Sequence, residues 1–384
     1  MRILHAFKIY RPELEGGVPE VIGLLTGSTV PNVENRILVA RRFGWGYERD
    51  VNKVPVKAVA SLGDLFSMPI APTFPFALAR AARNADVVVL HAPFPLNDIG
   101  IMLGIPAYVR LVVHWHSDIL GRRVLVRLLA PIIRRTLARA DRIVVSNSSI
   151  ISLSSFLKEY RDKCVVIPFG VDPDYWGQLS QSEQAEVERF RTLHPRLIVA
   201  TGRLVRYKGF DVLIRALREV DGTALIVGDG PQEHALRRLA GQLGVGQRLI
   251  IAGSVPRGEL KIFLHAARVF AFPSITSAET FGIAQLEAMA VGLPVVNTAL
   301  LTGVPLVARH GRESLTVAPN DPSALAAAIN RLLDDPALAA ELGQAGHRRV
   351  NEEFHHRAFV RRVMVLYDEV NSGCSGAERS RPRP

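Results

Sequence analysis

Residues Arg196 to Val220, RLIVATGRLVRYKGFDVLIRALREV, run from a short apolar segment through a loop bearing Arg203 and Lys208 into a helix-patterned segment. An unbroken Leu-Ile-Val run suits a strand covered on both faces of a parallel sheet. The same alternation recurs downstream, where ALIVGDG, RLIIAGS, VFAFPS and PVVNTA are separated by helical stretches. Upstream, RILHAF, RILVA, VKAVAS, VVVLHA, RLVVHWH, RIVVS and CVVIPF form a first series with the same character. At 384 residues and 48% apolar composition, the chain has material for two cores of ordinary domain size.

Strand patterning lapses between the two series, in GVDPDYWGQLSQSEQAEVERFRTLHP. The expected organisation is a first α/β domain over residues 1–172, a connection over 173–194 and a second α/β domain over 195–351. A helix over 352–370 is expected to pack back on the first domain, and a polar tail over 371–384 to be disordered. Two such halves would leave a cleft between them. Ligands of open α/β sheets bind outside the carboxyl ends of the strands, so chemistry is expected in the strand-to-helix loops.

Lys and Arg outnumber Asp and Glu by 47 to 36, a formal net charge of +11 that favours phosphorylated ligands, polyanions or anionic lipid. With 7% aromatic residues and no stretch interleaving them with basic ones, no nucleic acid is expected as a partner. Cys164 and Cys374 are too few for a disulfide framework or a cysteine metal site, which points to a reducing compartment. The first residues read as a strand and not as a signal segment, and no apolar run approaches the ~20 residues needed to span a bilayer. From Arg122 to Arg139 the chain carries six arginines in a helical pattern, bent or broken at Pro131. Such a helix either adsorbs to anionic lipid or packs on the surface with a solvated Arg face.

Six loops carry candidate chemistry. Gly202 permits a sharp turn, and Arg203 and Lys208 then offer a planar fork and a point charge before a helix: a diphosphate cradle, or a solvated basic loop. LIVGDGP places Gly228, Asp229 and Gly230 after a strand, where two glycines serve a close ligand or an ordinary turn, with Asp229 as a cap. In ITSAETFGIAQLEAMAVGLPVV, a helix is expected from about Phe281 or Gly282 to Gly292. At roughly 100° per residue, Ile283, Leu286 and Ala290 form its apolar stripe, Glu287 borders that stripe and Gln285 points away. Glu279 suits the helix dipole or a ligand, whereas Glu287, more than a turn inside, needs a donor or a cation. Gly16 and Gly17 follow the first strand and precede a helix with Pro19 in its first turn. His91, His114, His116 and Asp118 lie at strand ends; a metal site is incomplete there, and His116 is read as a polar contact at the cleft mouth.

Taken together, these loops resemble the retaining nucleotide-sugar glycosyltransferases with two Rossmann-like α/β/α domains facing a central cleft, the GT-B fold of glycosyltransferase family 4 (group 1). ETFGIAQLEAMAVGLPVV matches that family's Glu-x7-Glu signature and GRLVRYKG its diphosphate loop. EGGVPEV, IPFGVD, IVGDGP, AGSV and LTVAPNDPSALAAAINRLLDDP recur in order over residues 1–370. The resemblance implies that Arg203 and Lys208 hold the diphosphate, with Gly202, Gly228, Ser254 and Val255 beside it. Glu279 would contact the sugar, with the backbone of Phe281, Gly282 and Ile283 near sugar or phosphate, and Glu287 the ribose. Gly16 and Gly17 would approach donor phosphate or acceptor, and His116 the sugar near the reacting carbon. No metal and no cofactor are implied, and the nucleotide sugar is itself the substrate.

Thr302, Gly303 and Val304 stand where many members continue with two glycines and an acid, as in a subgroup of cell-envelope polysaccharide enzymes that use GDP-linked mannose or deoxy sugars. The expectation is a cytoplasmic hexosyltransferase, peripheral on the inner face of the membrane, acting on a lipid-linked or saccharide acceptor, with a GDP-sugar favoured over a UDP-sugar. Its rivals are a sugar-nucleotide epimerase or hydrolase on the same fold, and a non-catalytic nucleotide- or polyanion-binding protein.

Overall fold

The computed structural model describes residues 1–28, 30–65, 68–118 and 123–373, with only the backbone of Arg123 and Leu125. Arg122, Cys374 and the tail from residue 374 on lie outside the described residues. The chain divides into two compact units: Met1–Pro168 with the chain from Phe359 onward, and Phe169–Ala358.

The first unit is built on β1 (Arg2–Phe7), β2 (Glu34–Ala40), β3 (Tyr47–Val51), β4 (Val54–Val59), a small hairpin of β5 (Asp64–Leu65) and β6 (Met68–Pro69), then β7 (Val87–Ala92), β8 (Arg110–Trp115), β9 (Arg142–Val145) and β10 (Cys164–Val166). Its main sheet has the order β10-β9-β8-β7-β1-β2-β4-β3, parallel throughout except for the antiparallel edge pair of β3 and β4. The central strands are buried along nearly their whole length, as their Val- and Leu-rich sequences require of a sheet covered on both sides. β3, YERDV, has no apolar run to reveal it, because an edge strand is mostly in water.

The second unit contains β11 (Leu197–Thr201), β12 (Thr223–Val227), β13 (Leu249–Gly253), β14 (Val269–Phe272), β15 (Val295–Thr298) and β16 (Ser314–Val317). They form one parallel sheet in the order β13-β12-β11-β14-β15-β16. The strand order turns at β11, so the loops after β11 and β14 are neighbours at the carboxyl edge, the place where such sheets receive ligands.

Three expectations change. Residues 173–194, read as a connection, form helices Pro173–Gly177 and Gln181–Leu193 that pack within the second unit. A capping box of Ser180 and Glu183 starts the longer helix, Lys261 pairs with Glu183 at 2.7 Å, and Phe190 meets Phe263 edge-on at 5.0 Å. The segment looked loop-like because this helix buries little more than Val187. Second, of the bend or break expected at Pro131, the break is excluded, because Pro131 lies inside a single helix, Arg123–Arg139. Its arginines are also not a uniformly solvated face: Arg134 pairs with Glu159 at 3.4 Å, and Arg139 donates to the Val109 carbonyl at 2.6 Å. Third, the second series gains a strand beyond the five apolar runs: LTV lies in β16, which is followed by helix Pro322–Asp334. Among the described residues, no helix is long and apolar enough to cross a membrane.

Candidate functional site

The second unit builds its site from neighbouring strand-to-helix loops. Gly202, at φ 142°, turns the chain out of β11, and its N–H donates to the Val227 carbonyl at 2.9 Å. A Cβ on Gly228 would stand 2.1 Å from the Gly202 carbonyl oxygen. What demands glycine there is the approach of two protein backbones. Asp229 is no helix cap, since the following helix begins at Glu233; it accepts from the Ser254 hydroxyl at 3.1 Å. Ser254 and Asp229 are exposed and Val255 is half-buried.

After Arg203, which is exposed, the loop closes in a tight turn over Arg206–Lys208. Gly209, at φ 68°, comes so close to the β14 loop that a Cβ would lie 2.0 Å from the Pro273 oxygen, and Ile275 N–H donates to the Tyr207 carbonyl at 2.8 Å. This docking brings Lys208 to Glu279, Nζ to Oε2 at 2.6 Å, with side chains 13% and 11% exposed. The Ser274 hydroxyl donates to the same oxygen at 3.2 Å. Burial alone would lower the Lys208 pKa, but the charge of Glu279, aided by Tyr207 and Glu287, carries it above its usual value. The ammonium therefore stays charged, and with one of its three donors taken by Glu279 it retains two for other oxygens.

Gly282 sits at φ 86°, ψ 61°, and starts helix Ile283–Ala290, while Gly292 follows at φ 73°. The helix ends stand where the sequence placed them, but its faces differ. Gln285, expected to point away from the core, is fully buried, accepting from Asn297 at 2.8 Å and donating to the Val304 carbonyl at 3.3 Å. Ile283 and Glu287, four residues apart on one face, are half-buried. The helix is covered on most sides, so polarity did not mark its open face; an amide with both ends satisfied is at home in a core. Phe281 is itself core, edge-on to Phe169 at 5.2 Å and to Phe354 at 6.1 Å. Where the loop after β15 departs from the common pattern, Gly303 N–H donates to the Thr280 carbonyl at 2.9 Å and Val304 N–H to the Thr302 hydroxyl at 3.4 Å.

The first unit holds Gly16, Gly17 and His116, all beyond carboxyl ends of its strands. Gly16, at φ 135°, precedes helix Gly17–Gly27, and both glycines are exposed. His116 is not an open polar contact: it is 7% exposed and belongs to a buried cluster with His5, His91 and His114. Desolvation lowers the pKa of all four, to about 4 for His5 and about 3 for His116. Tyr367 hydrogen-bonds His114 at 2.8 Å. Asp118 is a pin for its loop, accepting from Trp115 at 2.8 Å and from the Ser154 hydroxyl at 2.7 Å. Among the described residues, no group of three or more His, Cys, Asp or Glu is arranged to hold a metal ion. His5 escaped notice in the sequence because a lone histidine in RILHAF looks like any strand residue.

Each of the two α/β units is built on a largely parallel sheet, and Arg203, Lys208, Glu279 and Glu287 lie in or just after loops at the carboxyl edge of the second, where such sheets receive ligands. The family description "Glycosyl transferases group 1" matches residues 182–349, and "Glycosyl transferase 4-like domain" matches residues 25–170. The chain is 32% identical over 367 residues to the D-rhamnosyltransferase WbpZ of Pseudomonas aeruginosa, covering 92% of each chain. It is 29% identical to the O-antigen chain mannosyltransferase C of Escherichia coli, covering 96% of this chain and 98% of that one. Among solved structures it resembles sucrose-phosphate synthase from Thermosynechococcus elongatus, with a TM-score of 0.80 at 20% identity over 97% of this chain and 99% of that one. It likewise resembles Anabaena HepE in complex with UDP-glucose, with a TM-score of 0.76 at 19% identity over 96% and 100%. The protein belongs to the group 1 glycosyltransferases, and its fold is GT-B.

Proposed function

We propose that the protein transfers a hexose from a nucleotide-diphosphate sugar to a lipid-linked or saccharide acceptor in cell-envelope polysaccharide assembly, with retention at the anomeric carbon. The observation that carries this reading is the pairing of Lys208 with Glu279 at 2.6 Å across two docked loops, with Glu287 in electrostatic reach of the same ammonium. Lys208 and Arg203 meet the diphosphate and stabilise the charge that develops as the nucleotide leaves, a task for fixed cations in a shielded place. Glu279 accepts from sugar hydroxyls and Glu287 from the ribose. The first N–H groups of the helix opening at Ile283 face phosphate or sugar oxygens. In the first unit, Gly16 and Gly17 approach donor phosphate or acceptor, and His116 the sugar. Charge is met by side chains, so no metal is assigned a role.

The relatives named for rhamnose and mannose transfer favour a GDP-linked mannose- or rhamnose-type donor, while the UDP-glucose complex of HepE keeps a UDP-sugar in contention. A cytoplasmic setting on the inner membrane face is favoured by the net charge and by helix Arg123–Arg139, where Val124 and Leu128 are 83% and 73% exposed beside Arg127. The deciding experiment incubates purified protein with GDP- and UDP-sugars and lipid-linked acceptors, with and without chelator, scoring transfer, anomeric configuration and acceptor-free product. Transfer with retention, unaffected by chelator, is expected. Product formed without any acceptor would instead support the epimerase or hydrolase reading, and affinity for nucleic acid but for no sugar nucleotide would support the non-catalytic one.

A further inference from the structure

The buried histidines of the first unit form a wired chain. Register places His5 opposite Val89 and His91 opposite His114, so alternation puts His5, His91, His114 and His116 on one face of the sheet. Asn35, two residues before the Ile37 that pairs with His5, joins that face. His5 Nδ1 lies 3.2 Å from His91 Nε2, and His91 Nδ1 lies 3.0 Å from His116 Nε2. Ring centroids are 5.5 and 5.3 Å apart with interplanar angles of 24° and 11°. The rings thus meet edge to edge and nearly coplanar, the arrangement in which an in-plane N–H points at an in-plane lone pair.

Burial keeps these rings neutral near pH 7, and a neutral imidazole has one N–H and one lone pair. His91, engaged at both nitrogens, donates on one side and accepts on the other. Only two proton arrangements satisfy the chain: donation running from His116 through His91 to His5, or the reverse. The far end decides between them. His5 Nε2 and Asn35 Oδ1 are both buried with no hydrogen-bond partner in the structure, and Asn35 raises the basicity of His5. The Asn35 amide nitrogen is directed to the Thr26 carbonyl at 3.4 Å, which leaves its oxygen, an acceptor only, for His5. A proton on His5 Nε2 answers that oxygen, whereas a bare nitrogen would set two buried acceptors against each other.

We infer that Asn35, His5 and His91 are positioning residues whose hydrogen-bond chain fixes His116 as the Nε2–H tautomer, with its lone pair on Nδ1. The inference rests on the reading of His116 as a residue of the sugar site and gives that residue a polarity: with its proton held on Nε2 by His91, the buried Nδ1 can only accept.

Long-range ¹H–¹⁵N spectra of the full chain carrying ¹⁵N-histidine, with His116 assigned by His116→Gln, report the tautomer without any turnover. A pyridine-like Nδ1 and a pyrrole-like Nε2 are expected, and a mixture of tautomers in Asn35→Leu, which leaves the core rings in place. Steady-state kinetics should show about a tenfold fall in kcat/KM for His91→Phe, with recovery in His91→Gln, whose amide can donate and accept. An Nδ1–H tautomer in the native chain, or a His116 spectrum unchanged by Asn35→Leu, overturns the chain. The expected tautomer together with unaltered kinetics in His116→Gln leaves the wiring standing and overturns the assignment of His116 to the sugar.

Discussion

Glu279 and Glu287 illustrate how far single residues could be read. Local physics left Glu279 between helix dipole and ligand, and the structure gives it a cation, because Gly209 lets one loop settle against the Pro273 carbonyl of the next. That contact joins residues some 70 positions apart and has no local signature. Removing the cation should act on the transition state: Lys208→Ala is expected to lower kcat by about 10²–10³. Glu287→Ala should instead weaken nucleotide binding about tenfold, as read by calorimetry. Unchanged values in both variants would remove this loop pair from the site. Glu313 passed unnoticed in the sequence, yet it is 3% exposed and accepts from Arg309 and from Arg349 at 3.1 Å. Burial pushes its pKa up, but the bonds to Arg309 and the charge of Arg349 hold it below the usual carboxylate value. Glu313→Gln leaves buried guanidinium charge under-compensated and should cost about 3–5 kcal/mol in denaturant unfolding. A loss below 1 kcal/mol would show that water screens the cluster.

At the scale of elements, buried parallel strands announced themselves, because each is a continuous apolar run covered on both faces. β3 and β16 did not: one is an exposed edge and the other a four-residue strand whose burial comes from its neighbours. The helix carrying Glu287 was legible in its ends, where Gly282 and Gly292 take up positive φ, and illegible in its faces, because Gln285 found its partner Asn297 on β15. Helix Arg123–Arg139 carries its own prediction. With Val124 and Leu128 exposed beside Arg127, the purified protein should sediment with vesicles containing anionic lipid, and Arg127→Glu should reduce the bound fraction severalfold at low salt. Equal sedimentation with neutral and anionic vesicles would rule out the electrostatic part of that reading.

For the molecule as a whole, the histidine cluster sets an acid limit on stability. His5 has its pKa lowered from 6.5 to about 4 by burial, and His116 to about 3. Between those values and 6.5 the unfolded chain binds more protons than the folded one, so stability is complete above about pH 6.5 and falls as pH drops through this window. Melting temperatures from pH 7.5 to 4.5 should decline steeply below 6.5, and His5→Gln should flatten the slope. A Tm independent of pH there would mean that the rings are hydrated. The cluster has a further consequence through Tyr367, the side chain from the helix His356–Ser372 that meets His114. Its strands are synthesised before any of Phe169–Ala358, and Tyr367 after all of it. The first unit is therefore not complete in sequence until the second has been synthesised, and a product terminated within Phe169–Ala358 would lack the Tyr367 side chain that meets His114.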